Sequence, residues 1–312
     1  MSFALLFSGQ GTLHPEMLPW LADDAIVRAM CTRLVTPGWL SAVVEAKWTE
    51  RNANAQMLLT GLTLAAWHQM SPALPAPSAI AGYSVGELAA FSAAGVFNAE
   101  CALDLSARRA ELMDRCAEQA PGGLLAVAGL RAEGVQQLCT SAGVAVAIRI
   151  DASSVVLGGP NGPLDQAERA AANLGARCTR LRIGVASHTP WMREAAEGFL
   201  RTLSAVRLHA PRTALFSNAI DRVHDDASAR KALSTQIAAT VRWDDCMDNI
   251  HARRVSCVLE VGPGQALARM WNERYPEIPA RSCDEFRSVA GIARWVSELT
   301  GVGPLQGGVH TS

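Results

Sequence analysis

Residues 79–90 read Ala-Ile-Ala-Gly-Tyr-Ser-Val-Gly-Glu-Leu-Ala-Ala. A short apolar run meets Gly82-Tyr83-Ser84-Val85-Gly86, and a helix-forming stretch follows at once. Strand, tight turn and helix in that order present a serine hydroxyl on a strained bend, the setting of a nucleophile. Gly82 and Gly86 leave room where a Cβ would clash as the chain reverses. The helix that follows aims its N-terminal N–H groups at the same point, which favours negative charge developing there. A serine nucleophile needs a base. Of the seven histidines, His188 stands between a strand end and a helix start and follows the serine in chain order, as hydrolase-like folds require. Thr189-Pro190 reads as the N-cap and first residue of that helix. His14, His209, His224, His251 and His310 lie in polar or tail contexts, and His68 reads as structural.

Other elements must bring Ser84 and His188 together. Residues 2–8 read as a buried strand ending in Gly9-Gln10-Gly11-Thr12. Such a loop, at a strand's carboxyl end, can turn backbone N–H groups toward a ligand, or it is an ordinary turn with a solvated glutamine. Residues 56–69 have helical spacing (Leu59, Leu62, Leu64, Ala66), with Gln56 either facing a site or solvating the helix end. A central strand is expected over 78–83. Residues 99–118 repeat every 3.6 positions with Leu103, Leu105, Leu112 and Met113 inward. Arg108 and Arg109 on that helix point about 100° apart, so one can face a pocket while the other meets water.

Pro121-Gly122-Gly123 marks a boundary. Strand 124–128, helix 131–141, strand 144–150, strand 154–157, helix 164–174 and strand 176–183 follow, the ferredoxin-like order. Arg177, Arg180 and Arg182 make a basic edge, with Arg149 as an expected neighbour; it is either a solvated face or a surface for a phosphate or an acidic partner. The chain then gives a strand ending in Ser217-Asn218 and a helix to about residue 240 that carries Gln236. A core strand over 256–261 is closed by Gly262-Pro263-Gly264, and helices are expected from 265 and near 285–299 before a loose Gly-rich tail. The expected class is α/β: a large domain of 1–121 and 190–312 with an insertion of 122–189.

Composition excludes several functions. With 28 basic and 29 acidic residues the net charge is −1, so no global field calls for nucleic acid or an acidic membrane. Only Lys47 and Lys231 are lysines; a preference spread over the whole chain reads as genomic, so an arginine needs positional support. Eight scattered cysteines without a C-x-x-C pair argue against a zinc site and fit a reducing cytosol. No apolar run reaches membrane-spanning length. A cytoplasmic protein without metal, nucleic acid or membrane partner is expected.

Together Gly9-Gln10-Gly11, Gly82-Tyr83-Ser84-Val85-Gly86-Glu87, Arg109 within Arg-Ala-Glu-Leu-Met, Ser187-His188, Gln236 and Glu260-Val261-Gly262-Pro263-Gly264 resemble the malonyl-CoA:acyl-carrier-protein acyltransferases, in the family's order. The resemblance implies an α/β-hydrolase-like domain with a ferredoxin-like insertion. It implies Ser84 as nucleophile, His188 as base and acid, Gln236 orienting His188 through its carbonyl, and the N–H groups of Gln10 and Val85 as oxyanion hole. Arg109 would hold the malonyl carboxylate, with Gln56, Gly9, Gly11 and Tyr83 as further substrate contacts. It implies malonyl-CoA as substrate, no permanently bound cofactor, and an acyl carrier protein with a phosphopantetheine-type arm as partner. Two stretches depart from the family: Tyr83 replaces the usual histidine, and 148–153 reads Ile-Arg-Ile-Asp-Ala-Ser where an asparagine-bearing strand end is usual. The Gly-Tyr-Ser-Val-Gly-Glu variant and the short apolar start most resemble the epsilon subunits of malonate decarboxylase, which charge that enzyme's own carrier subunit. Fatty-acid or polyketide transacylases are the alternative. A thioesterase-type serine hydrolase would share the elbow, but no acidic residue claims the third triad position, and a buried arginine in a lipase pocket would be costly.

Overall fold

Alternate residues of the first strand bury themselves on opposite sides of one sheet. Phe3, Leu5 and Phe7 enter a large core, whereas Ala4 and Leu6 enter a second one built around Trp243 and Trp271. A strand apolar on both faces must be covered on both. The computed structural model describes residues 2–36 and 38–302; the Gly-rich tail and His310 lie outside the described residues.

The strands are β1 (Phe3–Phe7), β2 (Ala79–Gly82), β3 (Gly122–Ala128), β4 (Ala145–Arg149), β5 (Ser154–Pro160), β6 (Arg177–Arg180), β7 (Ala214–Phe216), β8 (Arg222–Val223), β9 (Val241–Arg242), β10 (Cys257–Val261) and β11 (Ala280–Ser282). They form a mixed α/β protein with two sheets. The first has the order β11-β10-β1-β2-β7-β8, with every pair parallel except β7 and β8. Its register sets Phe7 beside both Gly82 and Val261, and Ala81 beside Phe216. The loops after β1, β2, β7 and β10 therefore leave the same edge of the sheet, where open α/β sheets build their sites.

The second sheet has the order β6-β3-β5-β4-β9. Leu125, Val127 and Leu157 face the helices Ala132–Ala142 and Asn161–Asn173. Leu124, Ala147, Ile148 and Val156 join the Trp243 core on the other face, so this sheet is packed onto the first. Its fifth strand, β9, comes from beyond residue 190 and pairs parallel to β4. No helix among the described residues is long and apolar enough to cross a membrane.

Three expectations need correction. The helix before Gln236 is Asp226–Thr235, and Gln236 is its C-cap rather than an interior residue. The last strand of the second sheet stops at Arg180. Arg149 is not a neighbour of Arg177, Arg180 and Arg182, because β4 and β6 lie on opposite sides of β3 and β5; it bonds instead to Asp244 and Asp245. The basic edge is itself partly neutralised, with Arg180 paired to Asp165 and Arg182 to Glu50.

Space decides the glycines of the turn. A Cβ on Gly86 would stand 2.4 Å from the Phe7 carbonyl oxygen and 2.6 Å from that of Ser8, and one on Gly82 would stand 2.4 Å from the Glu87 nitrogen. These are backbone atoms and cannot step aside. Gly86→Ala should thus lower unfolding free energy in urea by roughly 2–4 kcal/mol. Gly162→Ala, in a helix with open space around the site, should be neutral or stabilising by up to about 1 kcal/mol; equal behaviour of the two variants would contradict the packing argument.

Candidate active site

β2 runs straight into the helix Gly86–Ala93, and the residue at the bend, Ser84, has φ 55°. That left-handed conformation is costly for a residue with a Cβ. His188 is strained in the same sense, at φ 63°, with its N–H held by the Ile237 carbonyl at 2.8 Å. The two side chains meet: Ser84 Oγ lies 2.6 Å from His188 Nε2.

The other ring nitrogen fixes the direction of that bond. His188 Nδ1 is 2.6 Å from the backbone carbonyl oxygen of Gln236. A carbonyl only accepts, so Nδ1 carries the proton, and Nε2 accepts from the Ser84 hydroxyl. Gln236 can serve because it caps a helix end, where carbonyls have no intrahelical partner. Burial holds His188 well below the usual range, at about 3, helped by the nearby Arg109 charge and opposed by the Gln236 carbonyl. The imidazole is neutral at pH 7, the state a general base requires.

Arg109 is 2% exposed, while Arg108 sits at the surface paired to Glu111. Arg109 Nη1 donates to Gln56 Oε1 at 2.6 Å, and Nη2 to Gln236 Oε1 at 2.9 Å. Burial lowers its pKa to about 10, with the Glu87 charge acting against that, so it stays charged. No carboxylate among the described residues lies within ion-pair distance of it. Gln56 is wholly buried behind it, and its own amide nitrogen donates to Asn52 at 2.8 Å.

A cavity of about 390 Å³ opens over Ser84 and His188, within the usual size of small-molecule sites. Gly9, Gln10, Gly11 and Tyr83 line it on the first-sheet side, and Leu124, Ile148 and Ile183 face them. Tyr83 is wedged edge-on against Trp243, with ring centroids 5.0 Å apart. Arg109 and Gln56 do not line this cavity; they stand behind the serine–histidine pair. The backbone N–H groups of Gln10 and Val85 have no acceptor among the described residues, so both remain available to an oxyanion. No three His, Cys, Asp or Glu side chains among the described residues are grouped to hold a metal ion.

Two residues of this network have no assigned role in the sequence reading. Asn218, just past β7, accepts the Ser84 N–H through Oδ1 at 2.7 Å. Glu87, one helical turn after Ser84, is fully buried and accepts from Asn218 and Gln236. Only Glu87's place beside the serine motif, and Asn218's at a strand's carboxyl end, could have pointed to them.

The acyl transferase domain family matches residues 5–302. A malonyl CoA-acyl carrier protein transacylase of Mycobacterium bovis is 30% identical over 291 residues, covering 89% of this chain and 95% of that one. The crystal structure of an acyl-carrier-protein S-malonyltransferase from Burkholderia pseudomallei has a TM-score of 0.86 at 29% identity, covering 94% of this chain and all of that one (100%). A malonyl-transacylase in complex with its type II PKS acyl-carrier protein also has a TM-score of 0.86, at 25% identity over 96% and 100% of the two chains. The match takes in every loop that builds the Ser84–His188 site, and the chain belongs to the acyl transferase domain family.

Proposed function

We propose that the chain moves a malonyl group from malonyl-CoA to the prosthetic-group thiol of an acyl carrier protein through an acyl-enzyme on Ser84. The observation that carries this reading is the 2.6 Å contact between Ser84 Oγ and a neutral, accepting His188 Nε2, with a buried guanidinium beside the pair. Ser84 Oγ attacks the thioester carbonyl as His188 takes its proton. The tetrahedral oxyanion rests on the free N–H groups of Gln10 and Val85, each worth about 3 kcal/mol by analogy with other acyl-transfer sites. Collapse breaks the C–S bond, and His188 returns the proton to the departing CoA sulfur. The carrier thiol then enters, gives its proton to His188, and takes the acyl group as Ser84 regains its hydrogen.

Arg109 supplies the malonyl preference in this reading. Its two bonds go to neutral amide oxygens of Gln56 and Gln236, so a substrate carboxylate would exchange a neutral acceptor for a charged, bidentate one. Gln56 then acts through Arg109 rather than by touching substrate. In fold terms we read residues 1–121 and 190–312 as an α/β-hydrolase-like domain and 122–189 as a ferredoxin-like insertion, which the order β6-β3-β5-β4 supports. For the acceptor we favour the malonate decarboxylase carrier, on the strength of the Gly-Tyr-Ser-Val-Gly-Glu motif; the transacylase relatives make a fatty-acid or polyketide carrier the second reading. All eight cysteines are free, in keeping with action in a reducing cytoplasm.

Incubation with malonyl-CoA should add one malonyl mass, mapped to Ser84 by peptide mass spectrometry, and Ser84→Ala should take up none. Arg109→Ala should lower kcat/KM for malonyl transfer by about 100-fold or more, against less than about 10-fold for acetyl. Equal losses for the two acyl groups would remove Arg109 from recognition. Transfer rates onto the malonate decarboxylase carrier and a fatty-acid carrier, measured side by side, decide the acceptor.

A further inference from the structure

Two side chains hold the main chain of Ser84, and one carboxylate holds both. The Ser84 N–H donates to Asn218 Oδ1 at 2.7 Å, and the Ser84 carbonyl accepts from Gln236 Nε2 at 2.7 Å. The Asn218 N–H donates to Glu87 Oε1 at 2.6 Å, and Gln236 Nε2 also donates to Glu87 Oε2 at 3.0 Å. Asn218 Nδ2 in turn fixes the Gly82 carbonyl at 2.7 Å. The nucleophile's left-handed backbone is thus gripped from both ends by residues far away in sequence, and Glu87 is where the grips converge.

Charge arranges itself along the same line. The Gln236 amide has its oxygen on Arg109 and its nitrogen on Glu87, so its dipole lies between a buried cation and a buried anion. When His188 accepts a proton, a second positive charge appears beside Arg109 in a region nearly closed to water. A carboxylate there offsets both. Among the described residues, Arg109 and the buried Cys246 interact electrostatically with Glu87, His188 lies one residue farther off through Gln236, and Ser217, Asn218 and Gln236 supply its hydrogen bonds.

Building on the acyl-transfer reading above, we infer that Glu87 is a positioning residue for catalysis: its ionised carboxylate holds Ser84 in its strained turn through Asn218 and Gln236, and counters the charge that forms on His188. Protonation would cost it an acceptor oxygen as well as its charge. Burial pushes Glu87 up to about 7 against the pull of its donors and of Arg109, so acidification below that point should switch the site off before His188 itself is protonated.

The test compares wild type with Glu87→Gln, using acylation by malonyl-CoA and labelling of Ser84 by a fluorophosphonate, each from pH 5 to 9. Wild type should lose kcat/KM toward acid with an apparent pKa near 7. In Glu87→Gln, kcat at pH 8 should fall by about 100-fold, the scale of a misplaced nucleophile. KM should stay within about three-fold and the acid limb should vanish, since any residual activity would depend only on the strongly depressed His188. Fluorophosphonate labelling should slow in parallel. A folded Glu87→Gln with wild-type kcat overturns the inference, and so does a slowed variant that keeps the wild-type acid limb. Should that variant not fold, Glu87→Asp replaces it: the shorter side chain keeps the charge but loses reach, so kcat should drop while the limb remains, and an unchanged kcat overturns the inference. Wild type that reacts with the fluorophosphonate but never with malonyl-CoA would instead defeat the malonyl reading and leave the role of Glu87 to be judged on labelling alone.

Discussion

The bond between Ser84 and His188 exists only because two residues with side chains are held in left-handed backbone. Each such residue costs on the order of 1–2 kcal/mol, a substantial share of the net stability of an ordinary domain. Locally the turn is closed by main-chain bonds alone, from the Gly86 N–H to the Tyr83 carbonyl and from the Glu87 N–H to the Ser84 carbonyl, each at 3.0 Å, with no side-chain cap on the helix that follows. Long-range bonds add to these: Asn218 and Gln236 bond the Ser84 backbone, Ile237 bonds that of His188, and the parallel register of β1, β2 and β7 sets the distances. Gly82 and Gly86 permit the approach, while the hydrogen bonds define it. A site strained in this manner depends on a rigid sheet, and the two-sided burial of β1 and β2 provides one.

The electrostatics follow from putting a cation next to a base. Arg109 and burial together keep His188 neutral, which readies it to accept a proton but makes the resulting imidazolium expensive. Many serine enzymes meet that expense with a carboxylate on Nδ1. Here the partner is the end carbonyl of a helix, which carries only a partial negative charge. A full carboxylate on Nδ1 would raise His188 and compete for Arg109. On the proposed reading, a negative charge placed farther off, on Glu87 behind the Gln236 amide, leaves the base unprotonated and the guanidinium with neutral partners that a substrate anion can improve upon.

Local patterns were legible in the sequence wherever chemistry and periodicity act over a few residues. The serine elbow, the divergence of Arg108 and Arg109 to different sides of one helix, and the alternation of elements over residues 122–180 all follow from spacing within one or two turns, whereas the choice of Arg109 over Arg108 comes from the family resemblance alone. What escaped depends on pairing across the chain. Arg149 looked like a neighbour of Arg180 because both lie in one small sheet; only the strand order places them on opposite sides. Periodicity reads Gln236 as interior to a helix, whereas its value lies in being one residue past the end, a boundary that periodicity marks poorly. Gln56 appeared as a helix-end glutamine with two readings, and its burial behind Arg109 could not be inferred without knowing which helix packs on which. Asn218 bonds a residue 134 positions away, and Glu87 sits on a helix face whose burial the elbow motif does not announce.

The second sheet, with the residues just past β6, gives the cavity a wall that mixes apolar side chains with two arginines, Arg180 and Arg182. Leu124 and Ile148 reach over Ser84 from that sheet, and they belong to the same core as Trp243, which also anchors Tyr83. The two sheets are therefore locked through shared packing, and β9 stitches them further by running from the first lobe into the second. Transfer and hydrolysis differ only in which nucleophile reaches the acyl-enzyme. Leu124, Ile148 and Ile183 give water few partners on their part of that wall, while Arg180 and Arg182 bring positive charge to it. On the proposed acyl-transfer reading, the second sheet acts by shaping what can approach Ser84 once the first leaving group has gone.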